Sequence, residues 1–161
     1  MRYEFAPDLQ YEADKIAKTL FPHIKIGFFR CLRSYGSSSR NTIARCHALG
    51  KLMQKAMNVP AFYAIEFISE NFDKLPEDER IKVIIHELMH IPKSFGGGFR
   101  HHDFVCEKNI EMFYQKYENL KKASRGDLLH KEEKEVEDVF ESDENKDKTE
   151  RQRRLFGFRF R

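Results

Sequence analysis

Three residues in one short segment have the types and spacing of a metal site. Ile84-Ile85-His86-Glu87-Leu88-Met89-His90 carries two histidines four positions apart, with a glutamate directly after the first. On an α-helix, at 3.6 residues per turn, positions four apart lie one above the other on one face. Two imidazoles so placed can converge on a single metal ion. Glu87 stands beside them, within reach of a water on that ion without ligating it. Zinc suits the pair, because it takes neutral imidazole and keeps a fourth position open in catalytic centres. The ion lowers the pKa of its water toward ~7. Glu87 is then the base that accepts the proton and the acid that returns it to a leaving amine. The chemistry implied is hydrolysis of a peptide bond by a zinc-dependent endopeptidase.

The surrounding sequence supplies the helix. Pro76 followed by Glu77, Asp78 and Glu79 is a helix start, with acids where the dipole favours them. Ile81, Val83, Ile84, Ile85, Leu88 and Met89 make that helix apolar, and Pro92 ends it. An ordinary surface helix would explain the histidines without a metal, but this one reads as buried, where polar groups need partners. A catalytic zinc needs a third protein ligand. Phe99-Arg100-His101-His102-Asp103 supplies it, after a ten-residue connection carrying Gly96, Gly97 and Gly98 that can fold back over the helix. His102 is the first candidate and His101 the alternative. Asp103 either orients a ligand imidazole or caps the next helix. His23, His47 and His130 have no motif around them.

A chain of 161 residues, 40% hydrophobic, is one domain with a real core. A net charge of +3 excludes a histone-like polycation. No apolar run approaches the roughly 18 residues that span a bilayer, so no membrane partner is expected. The N-terminus carries acids where a signal peptide is basic, and Cys31, Cys46 and Cys106 form no disulfide or zinc-ribbon pattern, so a cytoplasmic protein is expected. Periodicity gives a helix from Leu9 to Leu20, strands over 24–33 and 42–49, and a short helix over 50–57. A strand over 62–69, the motif helix and a last helix from about Asp103 follow. The fold class is α+β, a small mixed sheet packed on the motif helix. The domain is expected over 1–125. Residues 126–161 then form a flexible charged tail: 131–150 hold ten acids and four lysines, and 151–161 five arginines and no acid.

His86-Glu-Leu-Met-His90-Ile-Pro, a glycine-rich loop and His102-Asp103-Phe104 together resemble the small zincin-like metallopeptidases of the SprT/Wss1 type. The resemblance is closest to those of archaea and phages, and it covers roughly residues 24–120. It implies a Zn2+ cofactor, protein or peptide substrates, and an edge strand before the motif helix. Substrate backbone would pair along that strand, so Tyr63, Ile65 and Phe67 would line the cleft.

The tail adds Gln152-Arg-Arg-Leu155-Phe-Gly-Phe158, which matches the opening of a sliding-clamp-binding box. Protease domain, linker and clamp box resemble the layout of Spartan-type proteases of DNA–protein crosslink repair. That layout implies a sliding clamp and DNA as partners, and DNA-associated or trapped proteins as substrates. The tail also reads as a strand added to its own domain, or as a basic, aromatic segment for nucleic acid. The alternative function is a catalytically weak, zinc-stabilised binding module recruited through this tail.

Overall fold

The computed structural model describes residues 1–126. The chain divides into two compact units, Met1–Glu118 and Asn119–Arg161. The second is helical over residues 119–126. In chain order the elements are β1 (Arg2–Phe5), α1 (Pro7–Leu20), β2 (Phe29–Tyr35), β3 (Ala44–Ala48), α2 (Lys51–Met57), β4 (Tyr63–Ile68), α3 (Ser69–Phe72) and α4 (Glu77–Met89). Residues 107–126 form α5.

The four strands make one mixed sheet in the order β1-β2-β4-β3. β2 and β4 run parallel, and β1 and β3 are antiparallel to their neighbours. α1 and α4 pack on one face of it. Leu9, Ala13, Ile16, Ala17 and Leu20 form the buried stripe of α1. Ile81, Ile84, Ile85 and Leu88 do the same for α4, at the spacing that keeps one helical face inward. Phe29 and Cys31 of β2, and Tyr63, Ile65 and Phe67 of β4, meet these helices and complete the core. Arg33 at the upper end of β2 donates two hydrogen bonds of 2.7 Å to Asp8 in the first turn of α1, tying helix to sheet. Among the described residues no helix is long and apolar enough to cross a membrane.

The structure corrects the sequence reading at four places. β4 is not an edge strand. It lies between β2 and β3, and Tyr63, Ile65 and Phe67 are each 0% exposed, so they line the core and not a cleft. The near-continuous apolar run Tyr63-Ala-Ile-Glu-Phe-Ile68 is what a central strand looks like, whereas Ala44-Arg-Cys-His-Ala48 has the polar content of an edge. Second, β2 begins at Phe29, because Ile24–Phe28 are used in turns that pass through Gly27 at φ +88°. Third, β1 adds an edge strand too short to show a period. Fourth, α5 starts at residue 107, not 103, because the His101 carbonyl accepts the N–H groups of Phe104 and Val105 in a separate turn.

Phe67 is fully buried and packs against Phe72 with ring centroids 4.6 Å apart and planes tilted by 54°. Phe67→Ala should cost about 3–5 kcal/mol of unfolding free energy, read as a lower urea midpoint at unchanged slope.

Candidate metal centre

α4 presents His86 and Glu87 in its last turn, and His90 caps its C-terminus in right-handed conformation. The Nε2 atoms of His86 and His90 lie 3.2 Å apart. The chain then turns away through Pro92 and Phe95 and comes back, and His102 joins the pair. Its ring centroid is 5.9 Å from that of His86 and 5.1 Å from that of His90. One ligand nitrogen from each of His86, His90 and His102 falls within 4.8 Å of the other two. Neither His101 nor Asp103 belongs to this group.

The return of the chain is fixed by backbone bonds. Arg100 is tied to His90 twice: its N–H donates to the His90 carbonyl at 2.8 Å, and its carbonyl accepts from His90 Nδ1 at 2.8 Å. A carbonyl can only accept, so the proton of His90 sits on Nδ1 and the lone pair of Nε2 faces the cluster. The glycines before Arg100 are clamped from two sides. Tyr63 Oη donates to the Gly98 carbonyl at 3.0 Å and accepts from the Gly97 N–H at 2.9 Å. Gln54 of α2 donates to the carbonyls of Leu49 and Gly96 at 2.6 and 3.2 Å. Gly97 has φ +87°, and a Cβ there would collide with Gln54 and the Leu49 carbonyl. Only glycine fits this crossing. Sequence spacing gave no hint of either clamp, since both partners come from elements distant in the chain.

Electrostatics suit a cation. Burial, and then the neighbouring His90 and His102, push the pKa of His86 down to about 4. Burial also lowers His90, with further lowering from His102 and His101. Both rings are therefore neutral near pH 7. Three imidazole nitrogens, one pair 3.2 Å apart, fit the donor set of a tetrahedral ion. Bonds of about 2.0–2.1 Å give nitrogen–nitrogen edges of roughly 3.3–3.4 Å.

Glu87 is 6% exposed, and burial pushes its carboxyl up to about 7, against the Cys46 backbone N–H that donates to it. His86 and Glu87 open on a cleft of about 680 Å³ walled by Asn41–Ala44 on one side and Val105, Ile110 and Glu111 on the other. The sheet edge at this cleft is β3. Ile43 and Leu49 bond back to β4, so by antiparallel alternation Arg45 and His47 also turn their peptide groups inward. Ala44, Cys46 and Ala48 turn theirs outward. Cys46 and Ala44 thus border the site that sequence reasoning had assigned to Tyr63, Ile65 and Phe67. The tail residues Gln152, Leu155 and Phe158 lie outside the described residues.

Tyr63→Phe removes both bonds to the glycine turn while keeping the buried ring. The expected result is a folded protein whose affinity for an added divalent metal falls about 10-fold or more, measured by competition with a chromogenic chelator. Unchanged affinity would mean the turn holds without this hydroxyl.

The family described as "Putative phage metallopeptidase" matches the chain over residues 1–142. No curated protein and no solved structure matches it. The match reaches across the three histidines, Glu87 and the loop between them, but does not carry the narrower SprT/Wss1 assignment. The chain belongs to this phage metallopeptidase family, whose chemistry is metal-dependent action on proteins or peptides.

Proposed function

We propose that the chain is a zinc-dependent endopeptidase of zincin type, with residues 1–125 as its peptidase domain. His86, His90 and His102 hold the ion, and Glu87 moves the protons. The observation that carries the reading is the convergence of three imidazole nitrogens beside a buried carboxylate, at the wall of an open cleft. Zinc is chosen by the donor set: three imidazole nitrogens favour it over oxygen-seeking cations, and three ligands leave one position open. When bound, it supplies Lewis-acid activation of water and of the scissile carbonyl.

The chain's own groups do the rest. A Glu87 carboxylate oxygen accepts the proton of the attacking water, holds it, and gives it to the nitrogen of the leaving amine. Burial keeps its proton affinity close to neutral pH, where both transfers are feasible. The Cys46 N–H fixes one side of that carboxylate. His90 is held in one tautomer by the Arg100 carbonyl. An extended substrate pairs with the outward peptide groups of Ala44 and Ala48 on β3, gaining affinity from its backbone with little dependence on sequence. Apolar Val83, Val105 and Ile110 in the cleft wall receive a side chain.

Glu87→Gln should bind zinc at the wild-type stoichiometry by elemental analysis and lose about 10²–10⁴-fold in turnover of a denatured protein substrate. Wild-type turnover in that variant would remove Glu87 from the role. His102→Ala should lose the zinc and His101→Ala should keep it; the reverse pattern would reassign the third ligand.

A further inference from the structure

Between Asp14 and Glu66 the chain carries nine Lys and Arg and not one Asp or Glu. This stretch builds β2, β3 and α2. The register puts two of the nine, Arg30 and Arg45, on one face of the sheet. Arg30 of β2 and His47 of β3 flank Ala64 in one row across the sheet, and Leu32, Glu66 and Arg45 form the next row. By strand alternation these side chains stand on the face opposite α1 and α4. Phe5 of β1 extends the second row beside Leu32, and Tyr3 lies two residues further along β1.

Among the described residues no helix packs on this face at its middle rows. Phe5 is 73% exposed and Tyr3 56%, and Arg30 and His47 are exposed. The one carboxylate among the outward strand positions is Glu66. It is buried beneath its neighbours, 2.8 Å from His47 Nε2 and 3.6 Å from Arg45. It holds those two side chains in place and leaves the face with net positive charge. Large aromatic rings left exposed on a sheet are unusual. Here they border Arg30 and Arg45.

We infer that the open face of the sheet binds single-stranded nucleic acid, with bases stacked on Tyr3 and Phe5 and phosphates matched by Arg30, Arg45 and His47. The chemistry selects this partner. Flat rings take unpaired bases of any sequence, and arginine forks take phosphate oxygens. From β1 to β3 the face spans three strand spacings, roughly 14 Å, which is room for two or three nucleotides. A duplex offers no base face to the rings and binds less well. The inference stands apart from the peptidase reading, because it uses neither the metal cluster nor the cleft.

The test is fluorescence anisotropy of a labelled oligothymidylate with the full-length protein. The same strand in a duplex, vesicles containing anionic phospholipid, and polyglutamate serve as competitors. The single strand should bind saturably, and neither vesicles nor polyglutamate should displace it efficiently. With two or three phosphates matched, a fourfold rise in salt should weaken binding roughly 7- to 20-fold. Phe5→Ala and Tyr3→Ala, both at exposed positions, should each weaken binding roughly tenfold at unchanged salt dependence. Arg30→Glu should weaken it and flatten the salt dependence. If all three variants bind as the wild type does, the nucleic acid sits elsewhere on the chain, the arginine-rich C-terminal segment included, and the inference fails. It fails equally if no binding occurs at low salt, or if vesicles or polyglutamate bind in its place.

Discussion

The site depends on one backbone tie. Arg100 gives its N–H to the carbonyl of His90 and takes the Nδ1 proton of the same residue. The first bond uses a carbonyl that the end of α4 would leave without a helical partner. The second sets the tautomer of a candidate ligand. Together they decide where the chain is when it reaches His102, two residues on. Two histidines on a helix can be had cheaply, since helical geometry aligns them. The third must come from elsewhere, and its position is only as good as the loop that carries it. Tyr63 and Gln54 hold that loop from the sheet and from α2, so β4 and α2 meet at three consecutive glycines.

Burial makes the same region electrostatically unfavourable without a cation. Raising the Glu87 carboxyl from its ordinary value to about 7 corresponds to a penalty on the order of 3 kcal/mol against its ionised form. In the metal-free protein the folded state holds that proton and the unfolded chain does not, so stability falls as pH rises from about 4.5 through 7. His86 works in the opposite sense. Its folded-state pKa of about 4 lies below the unfolded value near 6.5, so stability recovers as pH rises from about 4 to 6.5. The two effects oppose each other over most of their shared range. A cation among the histidines favours the ionised carboxylate and needs the neutral rings, so it relieves the Glu87 penalty without displacing protons from His86. This is a site shaped for a positive charge that its own side chains do not provide.

Much of this was legible in the sequence, for physical reasons that differ by element. α1 and α4 declare themselves because a helix with one buried face repeats its apolar residues at 3.6, and both stripes fall where periodicity places them. The His86–Glu87–His90 spacing is a local property of that same helix. The family match supports the broader metallopeptidase reading. Strand order is not local. The register that puts β4 between β2 and β3 is fixed by pairing across 34 residues on one side and 15 to 23 on the other, and the expectation of an edge at Tyr63 came from resemblance. The apolar run of β4 against the mixed run of β3 held the information. Burial on both faces needs the first, and an edge tolerates the second. The clamps on Gly97 and Gly98 left no trace, because a tyrosine in a strand reads as packing until its hydroxyl is seen to have partners.

The position of β3 gives the sheet two separate uses. Ala44 stands in the wall of the cleft and the outward peptide group of Ala48 continues the same edge, while the side chains of Arg45 and His47 stand on the open face. Backbone and side chains of one strand therefore serve different surfaces, and occupying one leaves the other free. A strand of nucleic acid lying on Arg45 and His47 would pass beside the edge along which, on the proposed function, an extended polypeptide would pair. A protein held on that nucleic acid would then be concentrated at the edge without making any new contact with the cleft. Glu66 sits between the two uses. Its carboxylate anchors Arg45 and His47 from beneath, and its backbone pairs with Arg45 in the register that sets the edge. Any shift of β3 along β4 would move the cations and the cleft rim together. Register is strongly specified wherever one face is buried, so the packed helices on one side fix the geometry of the open face on the other.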